Sequence, residues 1–89
     1  MNSRGSWELQ VDPSVLKSLK KIPPAETRRI LEVIRLLPAN PYFGDIQKMR
    51  GEADVWRRRI GAYRLFYKIY SKELVILVFR IERRTSKTY

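Results

Sequence analysis

The sequence predicts a small α+β domain of order β-α-α-β-β-β, and three features predict it. Trp7, Leu9 and Val11 alternate with Glu8, Gln10 and Asp12 near the start. Two stretches with apolar residues at helical spacing follow, bounded by prolines. Beyond Val55 the chain is dominated by alternating, β-branched and aromatic residues as far as Ile81.

The first alternation reads as a strand with Trp7, Leu9 and Val11 on its buried face. Asp12-Pro13 then starts a helix, with a carboxylate at the N-cap and proline at the first helical position. Val15, Leu16, Leu19 and Ile22 form its apolar stripe, while Lys17, Lys20 and Lys21 face away. Pro23-Pro24 ends that helix and opens a second, which runs to about Leu37. Its stripe is Ile30, Leu31, Val33, Ile34 and Leu37, and Glu26 complements the positive end of the helix dipole. Asn40-Pro41, Gly44 and Gly51 punctuate a loop through Asp54. Val55 to Ile60 and Ala62 to Tyr70 are strands parted by a bulge or tight bend at Gly61. Ser71-Lys72-Glu73 is a hairpin turn, and Leu74 to Ile81 reads as a central strand covered on both faces.

A chain of 89 residues suggests one domain near the lower limit for a single adequate core. We expect residues 1–6 to be a flexible tail and residues 7–89 the domain. The 44% hydrophobic content separates the chain from disordered polymers. Nineteen Lys and Arg against nine Asp and Glu give a net charge of +10, which favours nucleic acid or an acidic protein as partner. There is no Cys, which excludes disulfides, and no His. A zinc site would have to be built from carboxylates alone, and the acids show no ligand spacing, so neither metal nor other cofactor is expected. The apolar run Leu74 to Phe79 is too short to span a bilayer, and Met1 to Ser6 lacks the apolar stretch of a signal peptide. A cytoplasmic protein is the expectation.

The chemistry gathers between Trp56 and Tyr67. Strand alternation puts Arg57 and Arg59 on one face, with Trp56 and Ile60 on the other. Arg58 falls on the Trp56 face, where packing or surface exposure suits it better than catalysis. On the next strand Arg64 shares a face with Phe66, whereas Tyr63 and Tyr67 go with Leu65 and Ile69 into the core. Guanidinium groups side by side on a sheet face are suited to hold phosphate. The plain alternative for Arg57, Arg59 and Arg64 is a set of solvated charges that protect the sheet from edge pairing.

From about Trp7 to Tyr89 the chain resembles the RelE/ParE toxin superfamily. The residues that carry the resemblance are the loop Lys48-Met49-Arg50-Gly51, the basic strand Trp56-Arg57-Arg58-Arg59-Ile60, and the Gly61-x-Tyr63-Arg64-x-x-Tyr67 stretch with the closing Arg83 and Tyr89. RelE-like members of the superfamily cut mRNA in the ribosomal decoding site, and ParE-like members poison DNA gyrase. The resemblance to the RelE branch implies a catalytic set of Arg57, Arg59, Arg64, Arg83 and Tyr89; the first two are Arg where Lys is common. It implies Tyr89 as base for the 2′-hydroxyl and Arg83 as acid for the leaving 5′-oxygen, with Arg57, Arg59 and Arg64 as charge clamps on the transition state. A phenol of ordinary pKa about 10 would need nearby guanidinium groups to favour its ionised form. Arg gives up a proton reluctantly, so proton-transfer physics alone would make Arg83 an electrostatic stabiliser. Spacing does not separate Arg83 from Arg84; the family offset to Tyr89 selects Arg83. Tyr89 can also be read as a frayed end whose own α-carboxylate opposes phenolate formation.

Lys48, Arg50 and Arg80 are expected to contact RNA, and Phe66 to stack on a base. Lys17, Lys20 and Lys21 are either further phosphate contacts or the wet face of their helix. The expected architecture is a mainly antiparallel twisted sheet with the helix pair on one face and a concave, basic face on the other. The expected function is that of a type II toxin, a ribosome-dependent mRNA endonuclease held in check by an acidic antitoxin. The competing functions are a gyrase poison and a noncatalytic ribosome or RNA binder.

Overall fold

The computed structural model describes residues 7–84, which form β1 (Glu8–Val11), α1 (Pro13–Leu19), α2 (Pro24–Leu36), β2 (Ile46–Lys48), β3 (Val55–Ile60), β4 (Tyr63–Tyr70) and β5 (Val75–Arg83). The strands make one sheet of order β1-β5-β4-β3-β2. Adjacent strands are antiparallel except β1 and β5, which run parallel. The helix pair carries the chain from β1 at one edge to β2 at the other. Three successive antiparallel pairings then lead back until β5 meets β1. Parallel pairing demands such a long connection.

Local chemistry sets the helix ends. The Asp12 carboxylate accepts a hydrogen bond from the Ser14 N–H at 2.9 Å, and that bond holds its pKa below the ordinary value. The Thr27 hydroxyl lies within hydrogen-bonding distance of the carbonyls of Leu19 (3.1 Å), the last residue of α1, and Ile22 (3.2 Å), in the turn beyond it. Thr27 thus ties the first turn of α2 to the end of α1.

The core lies between the helices and one sheet face. Val15, Leu19, Ile30, Ile34 and Leu37 meet Ile60, Tyr63, Leu65, Tyr67, Ile69, Ile76 and Val78. The odd residues of β4 from Tyr63 to Ile69 are all buried, which fixes its register by the period-2 rule.

Four local expectations are corrected. The expected loop from Asn40-Pro41 through Asp54 contains a short edge strand, β2, whose Ile46, Gln47 and Lys48 pair with β3; three residues carry too little pattern to announce a strand. Leu74 is not in β5 but ends the turn, at φ +59° and half exposed. On β5 the helices cover only one face: Ile76 and Val78 are buried, while Val75, Leu77 and Phe79 are half-buried. Leu16 and Leu31, read as core stripe, are exposed because the helices turn narrower faces to the sheet.

The register of β4 against β5 slips at one point. Phe66 faces Arg80, whereas Tyr67 faces Val78, so Phe79 is the extra residue of a β-bulge. The bulge switches the parity of β5. Ile76 and Val78 point to the helices before it, and Ile81 packs towards them after it. Arg80 and Glu82 are thereby delivered to the open face instead of the core.

Candidate functional site

The site starts from β3, whose alternation sets Arg57 and Arg59 on the open face. In the ladder with β4, Arg59 is opposite Arg64 and Arg57 opposite Phe66; in the ladder with β2, Arg57 is opposite Gln47. Directly paired residues share a face, so three guanidinium groups converge. With Asp45 and Gln47 they line a cleft of about 140 Å³.

Each cation has a polar neighbour. Arg57 donates to the Gln47 side-chain carbonyl. Arg59 Nε lies 3.4 Å from Asp45 Oδ2, and the Arg59 N–H donates to the Asp45 carbonyl at 3.0 Å. Arg64 is 4.0 Å from Glu82, whose other oxygen pairs with Arg80. The Arg59 and Asp45 side chains are 55% and 69% exposed, so their pairing stabilises little and an incoming phosphate can displace it. These contacts orient the guanidinium groups without using up their capacity for a stronger anion.

Parity decides how the end of β5 relates to this cleft. Arg83 is paired with Tyr63, a core residue, and it borders a groove beside Ser18, Lys21 and Ile22 at the end of α1. It is not brought together with Arg57, Arg59 and Arg64. Arg84 continues the ladder, its N–H donating to the Ala62 carbonyl at 2.7 Å, and alternation assigns it to the open face. Its Nη1 donates to the Gly61 carbonyl at 3.2 Å, while its buried Nε has no partner. Tyr89 lies outside the described residues.

Of the proposed RNA contacts, Arg80 lies on the open face, its guanidinium 5.2 Å from the centre of the Phe66 ring. Phe66 is buried beneath Arg80 and beside Phe79, so a base could reach its ring only if Arg80 moved. Lys48 is exposed at the end of β2, opposite Trp56, and Arg50 is exposed in the turn beyond it; neither lines the cleft. Arg58 is committed elsewhere, stacked on Phe43 and donating to its carbonyl. Tyr67 is buried with its hydroxyl on the Pro41 carbonyl at 3.2 Å; burial, opposed by Arg58, pushes its pKa up to about 12. That phenol is not available as a base.

Local sequence reading missed Asp45, Gln47 and Glu82, and spacing alone did not separate Arg84 from Arg83. Asp45 and Gln47 reach the cleft through the β2–β3 pairing, and the bulge turns Glu82 and Arg84 to the open face outside it. No short-range pattern reports either.

The helix pair on one face of a sheet, with clustered arginines on the other, is the architecture of the small toxins of type II toxin–antitoxin systems. The sequence profile described as "ParE toxin of type II toxin-antitoxin system, parDE" matches residues 9–87. A Methanocaldococcus jannaschii protein assigned by name as toxin RelE1 is 32% identical over 81 residues, covering 88% of this chain and 90% of the relative. The RelE–RelB complex of Pyrococcus horikoshii contains a chain that superposes with a TM-score of 0.80 at 29% identity, covering 92% of this chain and 99% of that one. The isolated Escherichia coli RelE toxin agrees in fold, with a TM-score of 0.77 at 19% identity over 92% of this chain and 88% of its own. The chain belongs to the RelE/ParE toxin superfamily and is RelE-like within it.

Proposed function

We propose that this toxin is a ribosome-dependent endonuclease that cleaves mRNA in the decoding site. The observation that carries the reading is the convergence of Arg57, Arg59 and Arg64 on one small cleft with displaceable polar partners. Cleavage proceeds by attack of a 2′-hydroxyl on the adjacent phosphate, leaving a 2′,3′-cyclic phosphate and a 5′-hydroxyl. The three arginines neutralise the charge that builds on the phosphorane-like transition state. Tyr89 takes the hydroxyl proton in this scheme, and an arginine at the end of β5 assists departure of the 5′-oxygen. The family offset names Arg83 for that task, while strand parity offers Arg84. Acid–base groups this weak suit an enzyme whose substrate is bent into attack geometry by the ribosome. Lys48, Arg50 and Arg80 add phosphate contacts outside the cleft.

An acidic antitoxin is the proposed partner in the resting cell. Several solved relatives are toxin–antitoxin complexes, among them the intact RelBE complex of E. coli. The net charge of +10 complements such a partner as well as RNA. The ParE description of the matching profile favours one second reading, a gyrase poison, which has no need of an RNA-cleaving centre.

Toeprinting of mRNA on programmed ribosomes tests the proposal, with wild type, Arg64→Ala and Tyr89→Phe, and with free mRNA as control. Cleavage confined to ribosome-bound message and reduced about 100-fold or more in Arg64→Ala is expected. Intact message at saturating wild type would overturn it, and supercoiling by gyrase would then be assayed.

A further inference from the structure

A second cationic cleft lies on the helix side of the sheet. It has a volume of about 510 Å³ and runs between α2 and the end of β3, past the point where β2 stops. Arg28, Arg29, Arg58 and Arg59 line it, with Glu32 as the only acid in its wall. Arg58 is occupied by Phe43, and Glu32 is paired with Arg35. Arg28 and Arg29 are exposed and form no ion pair among the described residues. Gly61, at φ +58°, gives Arg29 its place: a Cβ there would stand 3.1 Å from Arg29 Nη1. Two guanidinium groups therefore stand near the rim of the sheet with no ion-pair partner among the described residues.

Arg59 lines both this cleft and the 140 Å³ cleft on the open face. The two are joined around the exposed edge of β3 into one cationic track, Arg64–Arg59–Arg29–Arg28. We infer that the α2–β3 cleft is a second phosphate subsite, which takes the backbone of the same single-stranded RNA after it has passed the open-face cleft. The assignment deepens the nuclease reading by extending the path of its substrate onto α2. RNA is favoured over a compact anion because two separate clefts share Arg59 and are lined by arginines, which suit successive phosphates.

The probe is a short fluorescein-labelled oligouridylate, its binding followed by anisotropy at salt concentrations from about 50 to about 200 mM. Each lost phosphate contact on a single strand flattens the log–log salt dependence by about 0.7, so R28A/R29A should lower the slope by about 1 to 1.5 and weaken binding several-fold. Glu32→Gln, which removes the cleft's one acid, should tighten binding. Lys72→Ala, in the turn at the far end of β4, serves as a reference for nonspecific loss of charge and should leave the slope nearly unchanged. A reduced slope in R28A/R29A supports the subsite whether or not ribosome-bound message is cut, so loss of the nuclease reading would be seen separately. Wild-type slope and affinity in R28A/R29A would overturn it. Unchanged RNA binding combined with lost retention of the co-expressed antitoxin would also overturn it and assign the cleft to the antitoxin.

Discussion

The Arg58 guanidinium lies 4.2 Å above the centre of the Phe43 ring and donates to the Phe43 carbonyl at 2.9 Å. This clamp fixes the chain just before Asp45, the residue beside Arg59. Gly44 makes it possible: at φ +88°, with a Cβ that would fall 2.3 Å from Arg58 Cζ, no other residue fits without displacing the guanidinium. Gly44→Ala and Arg58→Ala should each cost about 1 to 3 kcal/mol. The double substitution should cost less than their sum, because both remove the same contact. Urea unfolding of the four proteins measures the cycle, and strict additivity would dismiss the clamp.

Tyr67 links the core to alkaline stability. Its pKa is raised to about 12 by burial, with Arg58 opposing, against an unfolded value near 10. An acid with a raised folded pKa stabilises the fold fully below the unfolded value. That contribution declines as pH rises from about 10 to about 12, because the unfolded chain ionises first. Its size is at most about 3 kcal/mol. Tyr67→Phe should lose this dependence and, near neutrality, about 1 kcal/mol through the abandoned Pro41 carbonyl. Unfolding free energies of both proteins across that pH range give the difference directly; parallel curves would contradict it.

Glu82 is the carboxylate between Arg64 and Arg80. Glu82→Gln should strengthen RNA binding, since the open face gains a positive charge, and steepen its salt dependence. It should also slow cleavage at saturation by about tenfold, because Arg64 loses a contact that orients it. Single-turnover rates on programmed ribosomes separate the two effects. A tighter-binding variant with an undiminished rate would reduce Glu82 to a spectator.

Wherever two neighbouring strands kept strict alternation, the sequence was readable. Tyr63, Leu65, Tyr67 and Ile69 declared the core face of β4, and Arg57, Arg59 and Arg64 fell together because β3 and β4 pair without a slip. Asp12-Pro13 announced α1 through chemistry contained in two residues. What stayed hidden depends on long-range pairing. β2 is ordered by β3, and the extra residue at Phe79 looks like any other apolar position in Val75–Ile81. Unbroken alternation from Ile76 and Val78 would send Arg80 and Glu82 into the core, so the charge of these residues is the faint local sign of the bulge. The side chains completing the basic face were therefore the hardest to assign.

The same bulge yields a sharp test at the end of β5. Counting from the slip, Arg83 faces the helices with Tyr63, and Arg84 returns to the open face beside the β3–β4 bend. Arg84, like Arg58, has a buried Nε without a partner, and on the open face that donor is one a phosphate oxygen could satisfy after a modest shift of the guanidinium from the Gly61 carbonyl. Arg84→Ala should therefore lower the single-turnover cleavage rate by about 100-fold, and Arg83→Ala by no more than about tenfold. Lysine at either position keeps the charge but loses the planar fork, so Arg84→Lys should recover only part of the rate. Melting temperatures would separate this loss from a loosened β3–β4 bend, where the Arg84 hydrogen bond to Gly61 also acts. The reverse order of effects, with Arg83→Ala the more damaging, would mean that the active chain presents Arg83 to the substrate as the family offset to Tyr89 requires, and that strand parity ceases to govern side-chain direction after residue 82.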